Sequence, residues 1–286
     1  MSRIVYVNGA YLPEEQAKIS VFDRGFLFAD GVYEVSSVLR GKLIDNRGHL
    51  ARLHRSLSEL DMAAPASDAE IEAIQNALIE KNEVDEGLVY LQVTRGAADR
   101  DFAYPEGVTP SLVMFTQRKN VIASPLASTG IAVISVDDIR WRRRDIKTVG
   151  LLAPCMAKMQ AKAVGADDAW LVEDGYVTEG SSNNAFIVNA EGALVTRQLG
   201  NEILAGITRK AVLKLAQEQR LQVEQRPFSV EEARNAGEAF ITSATTFVMP
   251  VISIDGTPIA DGKPGKLTRR LRELYVQTAL DSIDER

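Results

Sequence analysis

The stretch AWLVEDGYVTEGSSNNAFIVNAEGALVT, residues 169–196, is a series of short apolar runs separated by turns that contain glycine. Such runs bounded by turn residues are typical of consecutive β-strands. Before it, IAVISVDDI (131–139) indicates another strand and residues 152–164 indicate a helix. After it, GITRKAVLKLAQEQR (206–220) has the apolar spacing of a helix. Strands and helices mixed in this way predict a globular α/β protein.

The first part of the chain has the same mixture. Strand-like runs occur at IVYVNG (4–9), GVYEVSSVLRGKLI (31–44), LVYLQVTRG (88–96) and SLVMFTQ (111–117). Over residues 48–62, apolar side chains recur at helical spacing, at Leu50, Leu53, Leu57 and Leu60. We therefore expect an amphipathic helix there, a second helix near 68–82 capped by Ser67 or Asp68, and a hairpin loop at Arg40-Gly41-Lys42.

A domain boundary is expected near the middle of the chain. RKNVIASPLASTG (118–130) is rich in Ser, Ala and Gly and contains a proline, a composition common in linkers. We predict an N-terminal α/β domain at 1–118, a linker at 119–130 and a C-terminal α/β domain at 131–286.

Composition excludes several classes of function. The net charge of -6 over 286 residues gives no overall attraction to nucleic acid. A single cysteine, Cys155, allows no intrachain disulfide, and no Cys/His cluster has the spacing of a metal site. No apolar run is long enough to span a bilayer, and the first residues lack the pattern of an export signal. We expect a cytoplasmic protein that binds no nucleic acid, no membrane and no metal.

Lys147 lies at the change from a charged to an apolar stretch, in DIKTVGLL (145–152). The apolar neighbours Ile146, Leu151 and Leu152 suggest that its stem is buried, and burial favours the neutral form of an amine, which can form a Schiff base. The same pattern also fits a lysine at a strand end whose ammonium reaches water. The segment alone does not decide between these readings.

Two further motifs would suit a phosphorylated carbonyl cofactor. VTEGSSNNAF (177–186) puts Glu179 at the end of a strand, where its carboxylate could pair with a protonated heterocycle. AGITRK (205–210) puts Gly206 at a helix start, where free N–H groups attract phosphate. Taken singly, the first also fits an ordinary turn glutamate and the second an ordinary capped helix.

The order of the motifs is more informative than any one of them. The blocks RGFLFADGVYEV, HLARLHRS, VTRG, DIRWRRRDIKT, TEGSSNNAF, GITR and FITSAT occur in this order along the chain. In this the sequence resembles the class IV aminotransferases, enzymes of pyridoxal phosphate fold type IV, and most of all the D-amino acid aminotransferases. The resemblance covers nearly the whole chain. It implies a two-domain α/β fold with the cofactor, pyridoxal 5'-phosphate, in the interdomain cleft.

The resemblance also implies roles for single residues. Lys147 would bind the cofactor aldehyde and later move the proton between the substrate α-carbon and the cofactor C4′, and Glu179 would keep the ring nitrogen protonated. The remaining cofactor-binding residues, chiefly around the phosphate, would be Arg52, Ser182, Ile207, Thr208, Ser243 and Ala244.

Four residues are assigned to the substrate on the same basis. Tyr33 and Tyr90 would lie beside it, and Arg100 would reach the active site of a neighbouring subunit to bind the substrate carboxylate. Phe102 is a departure, because the familiar D-alanine enzymes have a histidine there. Losing that donor weakens carboxylate anchoring and extends the expected range towards R-configured amines.

The implied reaction is a ping-pong transamination in a homodimer. A D-amino acid, foremost D-alanine, would donate its amino group to a 2-oxo acid such as 2-oxoglutarate. The alternatives within the family are an R-selective amine transaminase, a branched-chain amino acid aminotransferase and an aminodeoxychorismate lyase. A remote alternative is a non-enzymatic protein that binds anions or nucleic acid through the WRRR stretch at 141–144.

Overall fold

The computed structural model describes residues 2–284. Within them the chain forms two compact units. The first runs to Asn120 and takes in Ile146–Gly150, and the second comprises Val121–Asp145 and the chain from Leu151 onward. Each unit has its own β-sheet and its own helices, so the α/β class is confirmed.

The first unit is built on an antiparallel sheet of six strands. The strands are β1 (Ile4–Val7), β2 (Ala10–Pro13), β3 (Gly31–Leu39), β4 (Lys42–Leu43), β5 (Gly87–Thr94) and β6 (Ser111–Arg118). Their order in the sheet is β2-β1-β6-β5-β3-β4. A tight turn at Arg40-Gly41 joins β3 to β4, with both residues at positive φ, as the predicted hairpin loop requires.

The helices of the first unit are α1 (Arg24–Phe28), α2 (Asn46–Glu59) and α3 (Asp68–Lys81), with a 3-10 turn at Glu14–Gln16. Three of the four predicted leucines, Leu50, Leu53 and Leu57, lie on the buried face of α2, whereas Leu60 is the half-buried C-cap residue just beyond it. The three buried leucines pack with Val32 of β3 and Ile71 of α3 in one apolar cluster. Ser67 caps α3 in a reciprocal capping box with Glu70.

The segment Ile146–Gly150 differs from the prediction that 131–286 forms one domain. The N–H of Tyr33 donates to the Lys147 carbonyl at 3.0 Å, and the N–H of Val149 donates to the Gly31 carbonyl at 3.0 Å. Ile146 is buried in the apolar cluster of the first unit. Paired with the start of β3 in this way, the lysine segment is part of the first unit.

The second unit contains a mixed sheet of nine strands. The strands are β7 (Ile131–Asp137), β8 (Asp168–Glu173), β9 (Tyr176–Gly180), β10 (Asn184–Val188), β11 (Leu194–Thr196), β12 (Val223–Gln225), β13 (Glu238–Ser243), β14 (Phe247–Ile254) and β15 (Thr257–Pro258). The order is β12-β11-β10-β13-β14-β7-β8-β9, and β15 pairs with β14. β10 is buried at every position and holds Phe186, which stacks on Phe240 of β13 at 4.7 Å between ring centroids. The strands predicted from residues 169–196 therefore lie in the core of this unit.

Five helices accompany this sheet, namely α4 (Pro125–Thr129), α5 (Leu152–Ala163), α6 (Ile207–Glu218), α7 (Val230–Arg234) and α8 (Lys266–Asp284). The stretch predicted as a linker, 119–130, is more ordered than its composition suggested, because it contains α4. Arg272 of α8 also donates to the Val121 carbonyl at 2.5 Å and to the Ile122 carbonyl at 3.0 Å. Because of these hydrogen bonds, the stretch predicted as a linker belongs to the second unit from Val121 onward.

Candidate active site

Lys147 lies against an aromatic ring of its own unit. Its Nζ is 4.2 Å from the centroid of Tyr33, which is cation-π distance for an ammonium. Its backbone N–H is 3.4 Å from Ser56 Oγ of α2, and its carbonyl accepts from Tyr33. The side chain is half-buried. The lysine is thus held between β3 and α2.

Tyr33 is the first ring in a row of three on the first sheet. Tyr90 stacks on it at 5.5 Å between centroids, and Phe115 stacks on Tyr90 at 4.7 Å. The Tyr90 hydroxyl donates to Gln92 Oε1 at 2.8 Å. Burial, and next the neighbouring Tyr33, raise the pKa of Tyr90, so this phenol stays protonated. The two predicted substrate tyrosines therefore lie together, and Tyr33 contacts Lys147.

Arg52 belongs to a buried ion cluster that sequence reasoning did not foresee. Its Nε donates to Glu34 Oε1 and its NH2 group to Glu34 Oε2, both at 2.7 Å. His49 Nδ1 is 2.8 Å from Glu34 Oε2. Successive side chains of a strand point to opposite faces of the sheet, so Tyr33 and Glu34 lie on different faces of β3. Two features of the sequence could have indicated this pairing. One is the strand pattern that contains Glu34, and the other is the spacing of three residues between His49 and Arg52 on the following helix.

Glu34 is ionised in this environment. Its burial alone would raise its pKa, but the charge and hydrogen bonds of Arg52, followed by those of His49, lower the pKa of Glu34 to about 2. A bidentate carboxylate fixes the plane of a guanidinium. The Arg52 side chain is thereby held in one orientation.

Arg100 and Phe102 lie in an exposed loop of the first unit. The Arg100 guanidinium is 5.3 Å from the ring of Phe28 and 5.5 Å from that of Phe102, whose side chain is 79% exposed. Phe28 and Phe102 are themselves 5.5 Å apart. Phe102 thus adds apolar surface next to Arg100.

Two buried arginines anchor this loop. Arg24 donates to the Asp101 carbonyl at 2.6 Å and, through Nε, to Asp30 at 2.8 Å. Arg95 donates to the same Asp30 carboxylate at 2.8 Å, and its guanidinium is 3.5 Å from the ring of Tyr104. The backbone on both sides of Phe102 is therefore fixed by the core of the unit.

In the second unit, Glu179 is buried at the end of β9 and accepts from three donors. Arg140 NH1 is 2.5 Å from Oε1, Asn184 Nδ2 is 2.9 Å from Oε2, and the Leu204 N–H is 3.1 Å from Oε2. Burial raises the pKa of Glu179, against the lowering effect of Arg140 and of the Leu204 N–H. Sequence reasoning identified the glutamate and missed all three of its donors.

The start of α6 provides a site suited to an anion. Gly206 is the N-cap residue and, having no side chain, makes no side-chain cap hydrogen bond. A Cβ at Gly206 would lie 2.0 Å from Asn184 Oδ1, so only glycine allows this close approach. The N–H groups of Ile207 and Thr208 therefore lie where a helix dipole attracts phosphate.

The other predicted phosphate contacts belong to the same unit. Ser243 ends β13, and its Oγ is 2.8 Å from Thr246 Oγ1 across a turn that includes Ala244. Ser182 is exposed, in the loop between β9 and β10. The predicted cofactor residues are thus divided, with Arg52 and Lys147 in the first unit and the others in the second.

The arginines of the WRRR stretch differ from one another. Arg142 is exposed, and Arg143 pairs with Asp145 at 3.1 Å. Arg144 is only 5% exposed and forms two hydrogen bonds to Glu173, at 2.8 and 2.9 Å. The carboxylates of Glu173 and Asp138, in the same unit, therefore neutralise Arg144.

The described residues offer no candidate for two other kinds of site. No helix in this part of the chain is long and apolar enough to cross a bilayer. Among residues 2–284, no three His, Cys, Asp or Glu side chains come together as a metal site would require. Cys155 is exposed and forms no disulfide.

Comparison with known proteins identifies the family. The family described as Amino-transferase class IV matches residues 31–254. The chain is 39% identical to a D-alanine aminotransferase of Bacillus licheniformis, over 97% of this chain and 96% of that protein. It is 36% identical to a D-alanine aminotransferase of Staphylococcus aureus, over 94% and 95% of the two chains.

Solved structures agree on the fold. A branched-chain amino acid aminotransferase of Escherichia coli matches with a TM-score of 0.90 at 22% identity, covering 98% of this chain and 95% of that one. A branched-chain aminotransferase of the archaeon Thermoproteus uzoniensis, solved with norvaline, matches with a TM-score of 0.88 at 26% identity, covering 98% and 96%. A further branched-chain enzyme, with a TM-score of 0.89, was solved with pyridoxamine 5'-phosphate. The chain is therefore an aminotransferase, and it belongs to the class IV aminotransferase family.

Proposed function

We propose that this enzyme uses pyridoxal 5'-phosphate to transfer the amino group of a D-amino acid, D-alanine foremost, to a 2-oxo acid such as 2-oxoglutarate. The observation that carries the proposal is the similarity to D-alanine aminotransferases over nearly the full length of both chains. The likeness to branched-chain enzymes supports the fold, at 22 to 26% identity, and does not favour their substrates.

The described side chains fit this cofactor. Its phosphate suits helix α6, which begins after Gly206, because the first N–H groups of a helix, here those of Ile207 and Thr208, have no acceptor within the helix. Arg52 adds a fixed guanidinium, and Ser182, Ser243 and the Ala244 backbone are the further contacts we assign. Glu179 suits the ring nitrogen, because it is a buried carboxylate surrounded by donors.

When bound, the cofactor supplies an electron-withdrawing ring that stabilises negative charge at the substrate α-carbon. Lys147 would hold the cofactor through its aldehyde, and its amine would carry the proton that leaves the substrate α-carbon. Contact with the Tyr33 ring restricts the path of its amine. Tyr90 is packed behind Tyr33 and keeps that ring in place.

Arg100 is the residue that we assign to the substrate carboxylate, supplied from one subunit of a homodimer to the other. A guanidinium fork suits a carboxylate, and the anchored loop offers it at low cost in entropy. Phe102 beside it supports a second, weaker activity on R-configured amines without a carboxylate, because its exposed ring favours apolar substrates. We further propose that the dimer works in the cytoplasm, where the free Cys155 would stay reduced.

The test follows the visible absorbance of the purified enzyme loaded with pyridoxal phosphate. D-alanine added without an acceptor should bleach the band, and 2-oxoglutarate should restore it. L-leucine and an R-amine are the competing donors, so bleaching by L-leucine alone would contradict the D-amino acid proposal. Lys147→Ala should lose the band, whereas Lys162→Ala, an exposed lysine on α5, should keep it.

Arg100 is tested separately. Arg100→Ala should raise KM for D-alanine and leave KM for the R-amine unchanged. An equal loss for both donors would show that Arg100 does not bind a carboxylate. Sedimentation at several concentrations checks the dimer, and a monomer with full activity would exclude a contribution from the neighbouring subunit.

A further inference from the structure

Glu179 is the inner end of a chain of alternating charges within the second unit. From the outside inward the members are Glu173, Arg144, Asp138, Arg140 and Glu179. Only Glu173 has appreciable exposure, at 25% of its side chain, while the other four side chains are 12% exposed or less. This series of charges thus connects the partly solvated carboxylate of Glu173 to the buried carboxylate of Glu179.

Arg140 is fixed in this chain by its neighbour. Its Nε donates to Asp138 Oδ1 at 2.9 Å and its NH2 group to Asp138 Oδ2 at 2.7 Å. Asp138 is held in turn by the Thr178 hydroxyl at 2.7 Å, and its N–H donates to the Val172 carbonyl at 2.8 Å. With one edge of the guanidinium taken by Asp138, the NH1 group is left to point at Glu179, 2.5 Å away.

The charges of the chain do not cancel by themselves. Three carboxylates and two guanidiniums leave a net charge of -1 when all five groups are ionised. Buried charge is costly unless it is matched. The buried Arg209 guanidinium acts on Glu179 without touching it. A protonated pyridine nitrogen would place a cation directly at the glutamate.

We infer that Arg140 is a positioning residue that keeps Glu179 ionised and oriented, so that the cofactor ring nitrogen is held in its protonated form. This rests on the proposed function, in which Glu179 faces that nitrogen. The pKa of Glu179 supports it, because burial raises that pKa and the Arg140 charge is the largest effect opposing the rise. Without Arg140, the proton would move to the glutamate and the ring would become neutral.

Arg209 is the other guanidinium that interacts electrostatically with Glu179. Its hydrogen bonds go elsewhere, to the Arg197 carbonyl at 2.8 Å and to Gln225 Oε1 at 3.0 Å. Burial lowers the pKa of Arg209 to about 10, while the charge of Glu179 acts in the opposite direction. Arg140 is therefore the residue with direct contact, and it is the one to vary.

The experiment measures the protonation of the ring nitrogen itself. Pyridoxal phosphate labelled with 15N in the ring is bound to the full-length enzyme, and the 15N chemical shift is followed from pH 6 to pH 10. In Arg140→Gln we expect the midpoint of ring protonation to fall by at least about one pH unit, a tenfold change in the equilibrium. Arg142→Gln, an exposed neighbour, should match the wild type.

The outcomes separate this inference from the proposed function. If Glu179→Gln leaves the ring protonated, the assignment of Glu179 to the ring nitrogen is wrong. If Glu179→Gln gives a neutral ring while Arg140→Gln behaves like Arg142→Gln, the role of Arg140 is wrong. Should Arg140→Gln fail to fold, Arg140→Lys replaces it, with a smaller shift expected in the same direction because charge remains and the fork is lost. No shift in Arg140→Lys would then overturn the inference.

Discussion

The substitution Glu34→Gln tests the buried cluster that orients Arg52. Gln cannot accept from both Arg52 and His49 as a carboxylate does, and it removes the negative charge that faces the buried Arg52 guanidinium. Removing one partner of a buried pair costs about 3 to 5 kcal/mol. The pKa gives a separate estimate, because lowering the pKa of Glu34 from its ordinary value of 4.5 to about 2 corresponds to about 3 kcal/mol of stability at neutral pH.

The same reasoning predicts a dependence on pH with a definite sign. The pKa of Glu34 is lower in the folded protein, so its contribution is complete above pH 4.5 and declines as the pH falls towards 2. At pH 3, about 2 kcal/mol of it should be lost. The difference in stability between wild type and Glu34→Gln should therefore narrow on acidification.

The assay has to report on the first unit. Both tryptophans, Trp141 and Trp170, belong to the second unit, so their fluorescence is unsuitable. Hydrogen exchange at the amides of β3 and α2, measured on the cofactor-free protein at pH 7 and at pH 3, gives the opening free energy of this unit at both pH values. Glu72→Gln on the exposed face of α3 is the control. The reasoning is refuted if the two variants agree within about 0.5 kcal/mol, or if the gap stays constant with pH.

Three shorter predictions concern other parts of the molecule. Gly206→Ala should weaken binding of pyridoxal phosphate about tenfold or more in equilibrium dialysis, because the new Cβ displaces Asn184 from Glu179, and Gly237→Ala, which has room for a Cβ, should bind normally. Tyr104→Ala removes the ring that lies 3.5 Å from Arg95 and should raise KM for D-alanine about fivefold with little change in kcat; an unchanged KM would mean that the loop does not position Arg100. Phe240→Ala should lower the free energy of unfolding of the second unit by about 3 to 5 kcal/mol in urea titrations, and a loss below about 1 kcal/mol would contradict the tight stacking with Phe186.

Local patterns predicted much of the fold. The leucine spacing of α2, the capping residue of α3 and the glycine turn between β3 and β4 all act over a few residues, so they are visible in a single sequence. Lys147 and Glu179 were also accessible, because a lysine before an apolar run and a glutamate at a strand end are local features. Their assignment to a cofactor needed the family resemblance and stays a prediction.

Contacts between distant residues were not predicted. Arg140 and Glu179 are separated by 39 positions, and neither has a spacing that indicates the other. Glu34 and Arg52 are 18 positions apart, on a strand and a helix whose packing had first to be known. Residues 146–150 pair with β3 through backbone hydrogen bonds. Any residue except proline can donate such a bond, so the pairing cannot be predicted from the residue types.

The lysine segment has a consequence for how the chain can be divided. A gene split after Asn120 would give an N-terminal fragment without Ile146, so the apolar cluster of that fragment would lack one of its buried side chains. The complementary fragment would carry the lysine on a peptide whose hydrogen-bonding partners, Gly31 and Tyr33, are encoded elsewhere. A cut after Asn120 therefore separates Lys147 from the strand that supports it, whereas a cut after Gly150 keeps the two together but removes Val121–Asp145 from the rest of the second unit.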